Sequence, residues 1–425
     1  MKKALIITYY WPPAGGSGVQ RWLKFVKYFR DFGIEPVVYT VQNPNYPIVD
    51  ESLEKDIPVG MEILTQPIWE PNNLFAFFGK KKTESAGFLN PNPTFLGKIL
   101  QYIRANYFIP DARKYWVKPS TIYLKKYLKT NKIDVVITTG PPHSMHLIGL
   151  NLKKELNIKW IADFRDPWTE IDYFQQLPLT KKAIEKHHYY EKEVLKNADA
   201  VLVVGKTMQE NFRPFNSNVI TVTNGFDEVL TNEKVVLDSK FTITHIGLMN
   251  ADRNSKMLWE VLSEIVSENK EFAADFELKL IGKADVSVIA DISTFRLSNN
   301  VQIIDYVTHD KVVEFQQKSQ VLLLIVNNVP SAKGIITGKI FEYLMAKRPV
   351  LAIGPINGDL AEIIKETNSG LVVDFEDKNT LKMAILDLYV TFKQGNLAVE
   401  SKNIEQFHRK ELTKKVSEMI HKITE

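Results

Sequence analysis

The chain contains no cysteine. That absence excludes disulfides, thiolate metal sites and cysteine nucleophiles together. Long apolar runs are also missing. The longest aliphatic stretch, Val321 to Val326, falls far short of the roughly 20 apolar residues of a membrane-spanning helix. At the start, Met1-Lys2-Lys3 is followed by only four apolar residues, Ala4 to Ile7, before Trp11-Pro12-Pro13 blocks any further helix. A signal peptide is therefore not expected, and a soluble cytoplasmic protein is. Net charge is only +4, too little to argue for nucleic acid. What remains is ordinary globular material, 425 residues with 44% hydrophobic and 24% charged side chains, enough for two or three domains.

The charge is unevenly spread. Residues 71–132 carry 12 Lys and Arg against two acidic residues, Glu84 and Asp111. Aromatic residues are interleaved with them, including Phe75, Phe77, Phe78, Tyr102, Tyr107, Tyr115 and Trp116. Such a mixture suits an anionic membrane surface or a lipid phosphate. A basic solvated face over a buried aromatic core fits the same pattern, and nucleic acid fits it least.

Short apolar strands alternate with helical stretches along the chain. Ala4–Thr8, Pro36–Val41, Asp134–Thr138, Lys159–Asp163, Ala200–Val204 and Val219–Val222 form a first series. The first helix has the stripe Val19, Trp22, Leu23, Val26 and Phe29, with Gly33 as its stop. Between Val41 and Asp134 the chain reads as irregular and rich in Pro and Asn. A second series runs through Phe241–Ile246, Phe276–Ile281, Val301–Ile304, Val321–Val326, Pro349–Ile353 and Leu371–Val373. Two βα series predict an α/β protein with two doubly wound, Rossmann-like domains facing across a cleft. The expected spans are 1–225 and 226–405, with a terminal helix over 406–425 that packs back on the first domain.

Gly15-Gly16-Ser17-Gly18 follows the first strand and raises the dinucleotide fingerprint. Counting from Gly16, the third glycine would fall at position 21, where Arg21 stands. The second strand, Val37 to Val41, also ends without the acidic residue that would hold a ribose. A nicotinamide or flavin site is thus disfavoured. A loop with free N–H groups at a helix start can still bind an anion or a hydroxyl, or the glycines only turn the chain.

The second half is sharper. In Thr337-Gly338-Lys339-Ile340-Phe341-Glu342, a helix starting near Thr337 gathers backbone N–H groups, the helix dipole and the Lys339 charge. Glu342 lies on the same helix face. A diphosphate bearing a sugar and a nucleoside would use all of them: the amides and Lys339 for phosphate, Glu342 for the ribose diol. An intrahelical Lys–Glu pair is the plain alternative. His143 follows a parallel strand, where ligands gather, as do Asp163 and Asp166. The two carboxylates read as an acid/base pair, as metal ligands, or as an Asp–Arg network around Arg165.

Glu342-Tyr-Leu-Met-Ala-Lys-Arg-Pro349-Val350 resembles the Glu-Ala-Met-Ala-x-Gly-x-Pro-Val segment of retaining GT-B glycosyltransferases of the GT4 family. Tyr9-Tyr-Trp-Pro-Pro-Ala-Gly-Gly-Ser-Gly18 is similar to that family's acceptor loop. Asp163-Phe-Arg-Asp166-Pro-Trp168 and Asn224-Gly-Phe-Asp227 resemble strings of its bacterial surface-polysaccharide branch. The resemblance implies a nucleotide diphosphate sugar as donor, a glycan or lipid-linked acceptor and sugar transfer with retention, with no other cofactor; the lack of cysteine and of a tight His or Asp cluster argues for an enzyme without metal. It places Gly247, Arg253, Thr337, Gly338, Lys339 and Glu342 at the donor, Gly15, Gly16, Ser17 and Gly18 at the acceptor or a phosphate, and His143 and Asp166 at the chemistry. Two departures stand out. The first Glu of the family's Glu-x7-Glu pair is replaced by Gly334, and the Gly-Arg-Leu string reads Gly247-Leu248-Met249, leaving Arg253 as the candidate phosphate arginine. A same-fold sugar-nucleotide epimerase and a non-catalytic membrane-binding scaffold are the competing readings.

Overall fold

The structure is a computed structural model that describes every residue except 43, 45, 71–93, 173, 228–234, 306, 308 and 396. The chain divides into two compact units. One is Met1–Asn224 with Arg409–Glu425, the other Gly225–His408.

In the first unit the order is β1 (Lys2–Ile7), α1 (Ser17–Phe29), β2 (Ile34–Gln42), β3 (Glu62–Pro67), α2 (Phe95–Tyr107), α3 (Lys114–Thr130), β4 (Val135–Gly140), α4 (Ser144–Leu156), β5 (Trp160–Phe164), α5 (Lys181–Asn197), β6 (Ala200–Val203), α6 (Lys206–Phe212) and β7 (Val219–Thr221). The strands form one sheet in the order β3-β2-β1-β4-β5-β6-β7, and every pairing is parallel. The second unit runs β8 (Phe241–Ile246), α7 (Lys256–Glu268), α8 (Lys270–Asp275), β9 (Phe276–Ile281), α9 (Val286–Thr294), β10 (Val301–Ile304), α10 (His309–Lys318), β11 (Val321–Ile325), α11 (Lys339–Ala346), β12 (Val350–Ile353), α12 (Asp359–Glu366), β13 (Gly370–Val373) and α13 (Lys378–Lys393). Its parallel sheet has the order β10-β9-β8-β11-β12-β13. The last helix, α14 (Arg409–Thr424), belongs to the first unit.

Both sheets reverse their winding beside their first strand, at β1/β4 and at β8/β11. In open parallel sheets ligands bind outside the carboxyl ends of such strands, so these two places are where a site is to be sought. Helices cover both faces of the first sheet. On one side Leu5, Val37, Val136 and Ala162 pack against α3 and α4 residues such as Leu124 and Ile148. On the other, Ile6, Val38 and Ile137 meet the α1 stripe Val19, Trp22, Leu23, Val26 and Phe29, together with Leu412, Val416 and Ile420 of α14. A 3-10 turn over Arg30–Phe32 follows α1, and Gly33 takes the left-handed φ of 74° that ends it.

The segment between Val41 and Asp134 corrects the expectation of irregularity. Glu62–Pro67 pairs in parallel with β2 from Val37 to Gln42, and α2 and α3 follow. The edge strand escaped notice because it is polar and bracketed by Pro58, Gly60 and Pro67. A one-sided, solvent-facing edge needs no continuous apolar run. The run Leu74–Phe78 and the lysines Lys80, Lys81 and Lys82 lie outside the described residues.

One buried ion pair ties α1 to the sheet. Asp163 of β5 accepts from Arg21 Nη2 at 2.8 Å, from Trp22 Nε1 at 2.7 Å and from Thr139 Oγ1 at 2.8 Å. Arg21 Nη1 also donates to the Thr223 carbonyl at 3.0 Å. Both charged side chains are essentially sealed from solvent. Removing one partner of a buried pair strands the other charge, typically at about 3–5 kcal/mol. Asp163→Ala is therefore expected to lower the unfolding free energy of the first unit, read from urea titration, by that order, whereas an unchanged value would show that Arg21 finds other partners.

Candidate functional site

At the second unit's switch point β8 ends in His245-Ile246, and Gly247 follows with φ 100°. A side chain there would run into Lys339, whose Cε lies 2.9 Å from where a Cβ would stand. Glycine thus lets the Lys339 side chain lie across the end of β8. Its Nζ reaches His245 Nε2 at 3.3 Å. The other ring nitrogen, Nδ1, faces the Leu323 carbonyl of β11 at 3.3 Å. Arg253 sits in the 3-10 turn Ala251–Arg253 before α7. It donates from Nε to Asn327 Oδ1 at 2.8 Å and from Nη1 to the Leu248 carbonyl at 2.9 Å. Lys339, distant in sequence, is thus brought to Gly247 and Arg253.

The electrostatics follow from burial. Desolvation, with the Arg253 charge adding to it, pushes the Lys339 ammonium down to about 7. Burial, then Lys339 and Arg253, hold the His245 imidazole well below its ordinary value. Among the described residues no carboxylate lies within ion-pair distance of Lys339. Glu342, one turn on, accepts from Gln316 Nε2 of α10 at 2.8 Å. The Lys–Glu pair of the plain alternative is not formed. The helix itself begins at Lys339, with Gly338 as N-cap and Thr337 Oγ1 accepting from the Lys339 N–H at 3.2 Å. Space beside Gly338 is open: a Cβ placed there would touch nothing within 4 Å. Gly334, where the resemblance would put a carboxylate, closes the 3-10 turn Ala332–Gly334.

The first unit's switch point gathers the other candidates around Arg165. Its Nη1 donates to the Gly18 carbonyl at 2.6 Å, its Nη2 to the Pro141 carbonyl at 3.1 Å, and its Nε lies 3.6 Å from Asp166. The glycine loop, the turn before His143 and Asp166 are therefore held by one guanidinium. Gly16 precedes α1 with φ 88°, Ser17 is the first residue of that helix, and the Gly15 N–H donates to the Ile48 carbonyl at 2.9 Å. Asp166 is 46% exposed and open to a ligand. Asp163 is not, because the Arg21 pair occupies it, so the acid/base and metal readings of that carboxylate fall away. His143 caps α4 and stacks on Trp168, with centroids 4.8 Å apart and planes 7° apart. Its Nδ1 is buried without a hydrogen-bond partner. Among the described residues no group of three His, Asp or Glu side chains is placed to hold a metal.

Sequence reading missed His245 and a second network below the first loop. Tyr9 donates to Glu70 Oε1 at 2.9 Å, Arg113 Nε lies 3.1 Å from the same oxygen, and the guanidinium sits 4.6 Å over the Tyr9 ring. Only contact across 61 and 104 positions reveals it. His245 had a faint signal, as a polar residue closing an otherwise buried strand one step before a glycine.

Residues 18–229 match the family model described as Glycosyltransferase Family 4, and residues 240–390 match Glycosyl transferases group 1. The chain is a glycosyltransferase of the GT-B fold. WaaG, a glycosyltransferase involved in lipopolysaccharide biosynthesis, superposes on this glycosyltransferase with a TM-score of 0.55 at 12% identity, over 98% of this chain and 99% of that one. A TarM mutant from S. aureus, in complex with fondaparinux, α-GlcNAc-glycerol and UDP, gives 0.53 at 13% over 100% and 99%. UDP-GlcNAc 2-epimerase from Methanocaldococcus jannaschii gives 0.54 at 12% over 99% and 100%. No curated protein matches the glycosyltransferase in sequence.

Three buried histidines near the first unit's site give this glycosyltransferase a pH signature. Burial holds His143 well below its usual value, His146 down to about 3 and His187 down to about 4. Trp168 Nε1 donates to His187 Nδ1 at 2.9 Å, which requires a lone pair on that nitrogen. A basic group depressed on folding stabilises the fold above its unfolded value, about 6.5, and loses that stability as pH falls toward its folded value. Unfolding free energy is expected to drop between pH 6.5 and 4 by up to ~1.4 kcal/mol per pH unit for each such histidine. Urea titrations at pH 7 and 5 check this, and a flat profile would mean that the imidazoles are hydrated.

Proposed function

We propose that the enzyme moves a hexosyl group from a nucleotide diphosphate sugar to a glycan or lipid-linked acceptor, with retention and without metal, in the assembly of a surface polysaccharide. The second unit would take the donor and the first the acceptor. One observation carries the reading: Lys339 and Arg253 converge beside Gly247 at the switch point and at the start of α11, with no carboxylate against Lys339. A departing diphosphate needs charge placed in advance, and this group of cations and helix N–H groups supplies it. Glu342 presents Oε1, which makes no hydrogen bond among the described residues, as an acceptor for ribose hydroxyls. His143 and Asp166 would face the sugar and its acceptor. The polysaccharide role is supported by the Asp163–Trp168 and Asn224–Asp227 strings and by the likeness to WaaG.

Purified protein incubated with UDP, GDP, dTDP and CDP sugars and a glycan acceptor is expected to release nucleoside diphosphate and form a glycoside of unchanged anomeric configuration, with EDTA having no effect. Glu342→Gln should weaken nucleoside diphosphate binding by about 1.5–3 kcal/mol, the scale of a charge-assisted hydrogen bond. An isomerised donor would instead indicate the epimerase, turnover of neither kind a scaffold, and rescue by magnesium or manganese a metal enzyme.

A peripheral place on the inner face of a membrane is part of the same proposal. Phe95, Leu96, Ile99, Tyr102, Ile103 and Tyr107 of α2 are all exposed, along one side of a helix whose only buried residue is Ala105. The helix has no acidic residue, and residues 94–132 hold nine Lys and Arg against Asp111 alone. Apolar side chains in the headgroup region and lysines near lipid phosphates act together, at roughly 1 kcal/mol per charge. Ile99→Asp with Ile103→Asp should abolish co-sedimentation with phosphatidylglycerol vesicles. Equal binding to neutral phosphatidylcholine vesicles would overturn the charge argument.

A further inference from the structure

We propose that His245 is a positioning residue that holds the Lys339 amine in place without a counter-charge, so that binding of the donor diphosphate draws a proton from solvent onto Lys339. The inference rests on the donor site proposed above and assigns it a residue and a linked proton.

His245 meets backbone groups of Leu323 and Leu248 and the Lys339 amine, and the Leu323 contact sets its tautomer. With the Nδ1–H donating to the Leu323 carbonyl, Nε2 keeps its lone pair and accepts from Lys339 Nζ. A protonated imidazole would turn an N–H toward the amine instead. The ring therefore anchors Lys339 as a neutral acceptor and offers it no negative charge. The charged and titratable groups facing Lys339 are few. Arg253 repels its proton from the β8 side, Glu342 attracts it weakly from its own helix, and His245 is the neutral contact. Tyr343, next to Glu342, is occupied with the Ile246 N–H and the Leu323 carbonyl at 3.4 Å each. Burial and Arg253 together outweigh Glu342, which is why the amine is pushed down to about 7.

A diphosphate placed against Lys339 and Arg253 reverses that balance. It brings an anion against Lys339 and favours the charged form of the lysine. At pH 8, one unit above the free value, about nine-tenths of the Lys339 amines are uncharged and can each take a proton. The step is a simple one: an amine and a solvent proton become an ammonium, paired with a phosphate oxygen. Affinity should then fall as pH rises from 7.5 to 8.5, a window in which neither the diphosphate nor the base changes its charge much.

Calorimetric titration of UDP, GDP and dTDP into the whole protein at pH 8 tests this, in HEPES and in Tris, whose ionisation enthalpies differ. The nucleotide that binds should take up between about half and one proton per site in wild type and close to none in Lys339→Arg, which stays charged. His245→Gln, which keeps an acceptor for Lys339, should hold affinity within about threefold, whereas His245→Leu should lose about tenfold or more. Binding with no proton uptake, or with equal uptake in Lys339→Arg, overturns the inference and leaves the donor site standing. Leu restoring affinity better than Gln would make His245 a packing residue and overturn its role. Binding of no nucleoside diphosphate at all, by calorimetry and thermal shift alike, would remove the donor site and the inference together.

Discussion

The pair of Arg21 and Asp163 is the constraint on which the first unit's site depends. A carboxylate at the end of a central strand, fully removed from water, is tolerable only with its oxygens filled. Three donors from α1 and β4 fill them. The pair fixes the register of α1 against the sheet, and with it the loop from Tyr9 to Ser17 that α1 terminates. Two residues on, Arg165 uses the same rigid strand end to grip the Gly18 and Pro141 carbonyls. The glycine loop is thus held from the sheet side by side chains of one short segment, Asp163 to Asp166.

The second unit handles charge in the opposite way. Its half-buried lysine has a neutral partner where the first unit's arginine has an anion. A lysine in that setting is costly to keep charged, and the cost appears as its depressed proton affinity. Evenly paired charges suit a scaffold, whereas an unbalanced one suits a place where charge arrives with a ligand. The contrast separates Asp163, which looked like chemistry in the sequence and is architecture, from Lys339, which could have been an ordinary surface helix residue and is half-buried against the end of β8.

Much of the fold was legible because parallel strands buried on both faces spell themselves as apolar runs. Phe241–Ile246 and Phe276–Ile281 could be bounded from the sequence alone. The edge strand Glu62–Pro67 could not, since half its surface meets water. Of the donor candidates, Lys339 and Glu342 were readable because helix geometry places residues three apart on one face. Arg253 and Gly247 needed the resemblance. His245 and the Tyr9–Glu70–Arg113 network were beyond reach, because their meaning lies in contacts across 60 to more than 100 positions, and no local period records those.

Position 21 shows how the two levels of reading connect. An arginine where a dinucleotide loop would need its third glycine first served only to exclude a nicotinamide or flavin. In the structure that arginine is the cation that neutralises Asp163. The third glycine of a dinucleotide site lets a helix pack closely on its strand, so that the pyrophosphate can sit on the helix N-terminus. Here the helix is instead spaced from the sheet by a guanidinium and an indole, Arg21 and Trp22, both bonded to one carboxylate. The helix start at Ser17 is correspondingly preceded by a long loop rather than a tight turn. In the other unit Gly247 at the end of β8 instead clears the way for a lysine from another helix. The same winding of strands and helices carries both arrangements, a guanidinium bonded to a strand-end carboxylate in one unit and a glycine that admits a lysine at a strand end in the other.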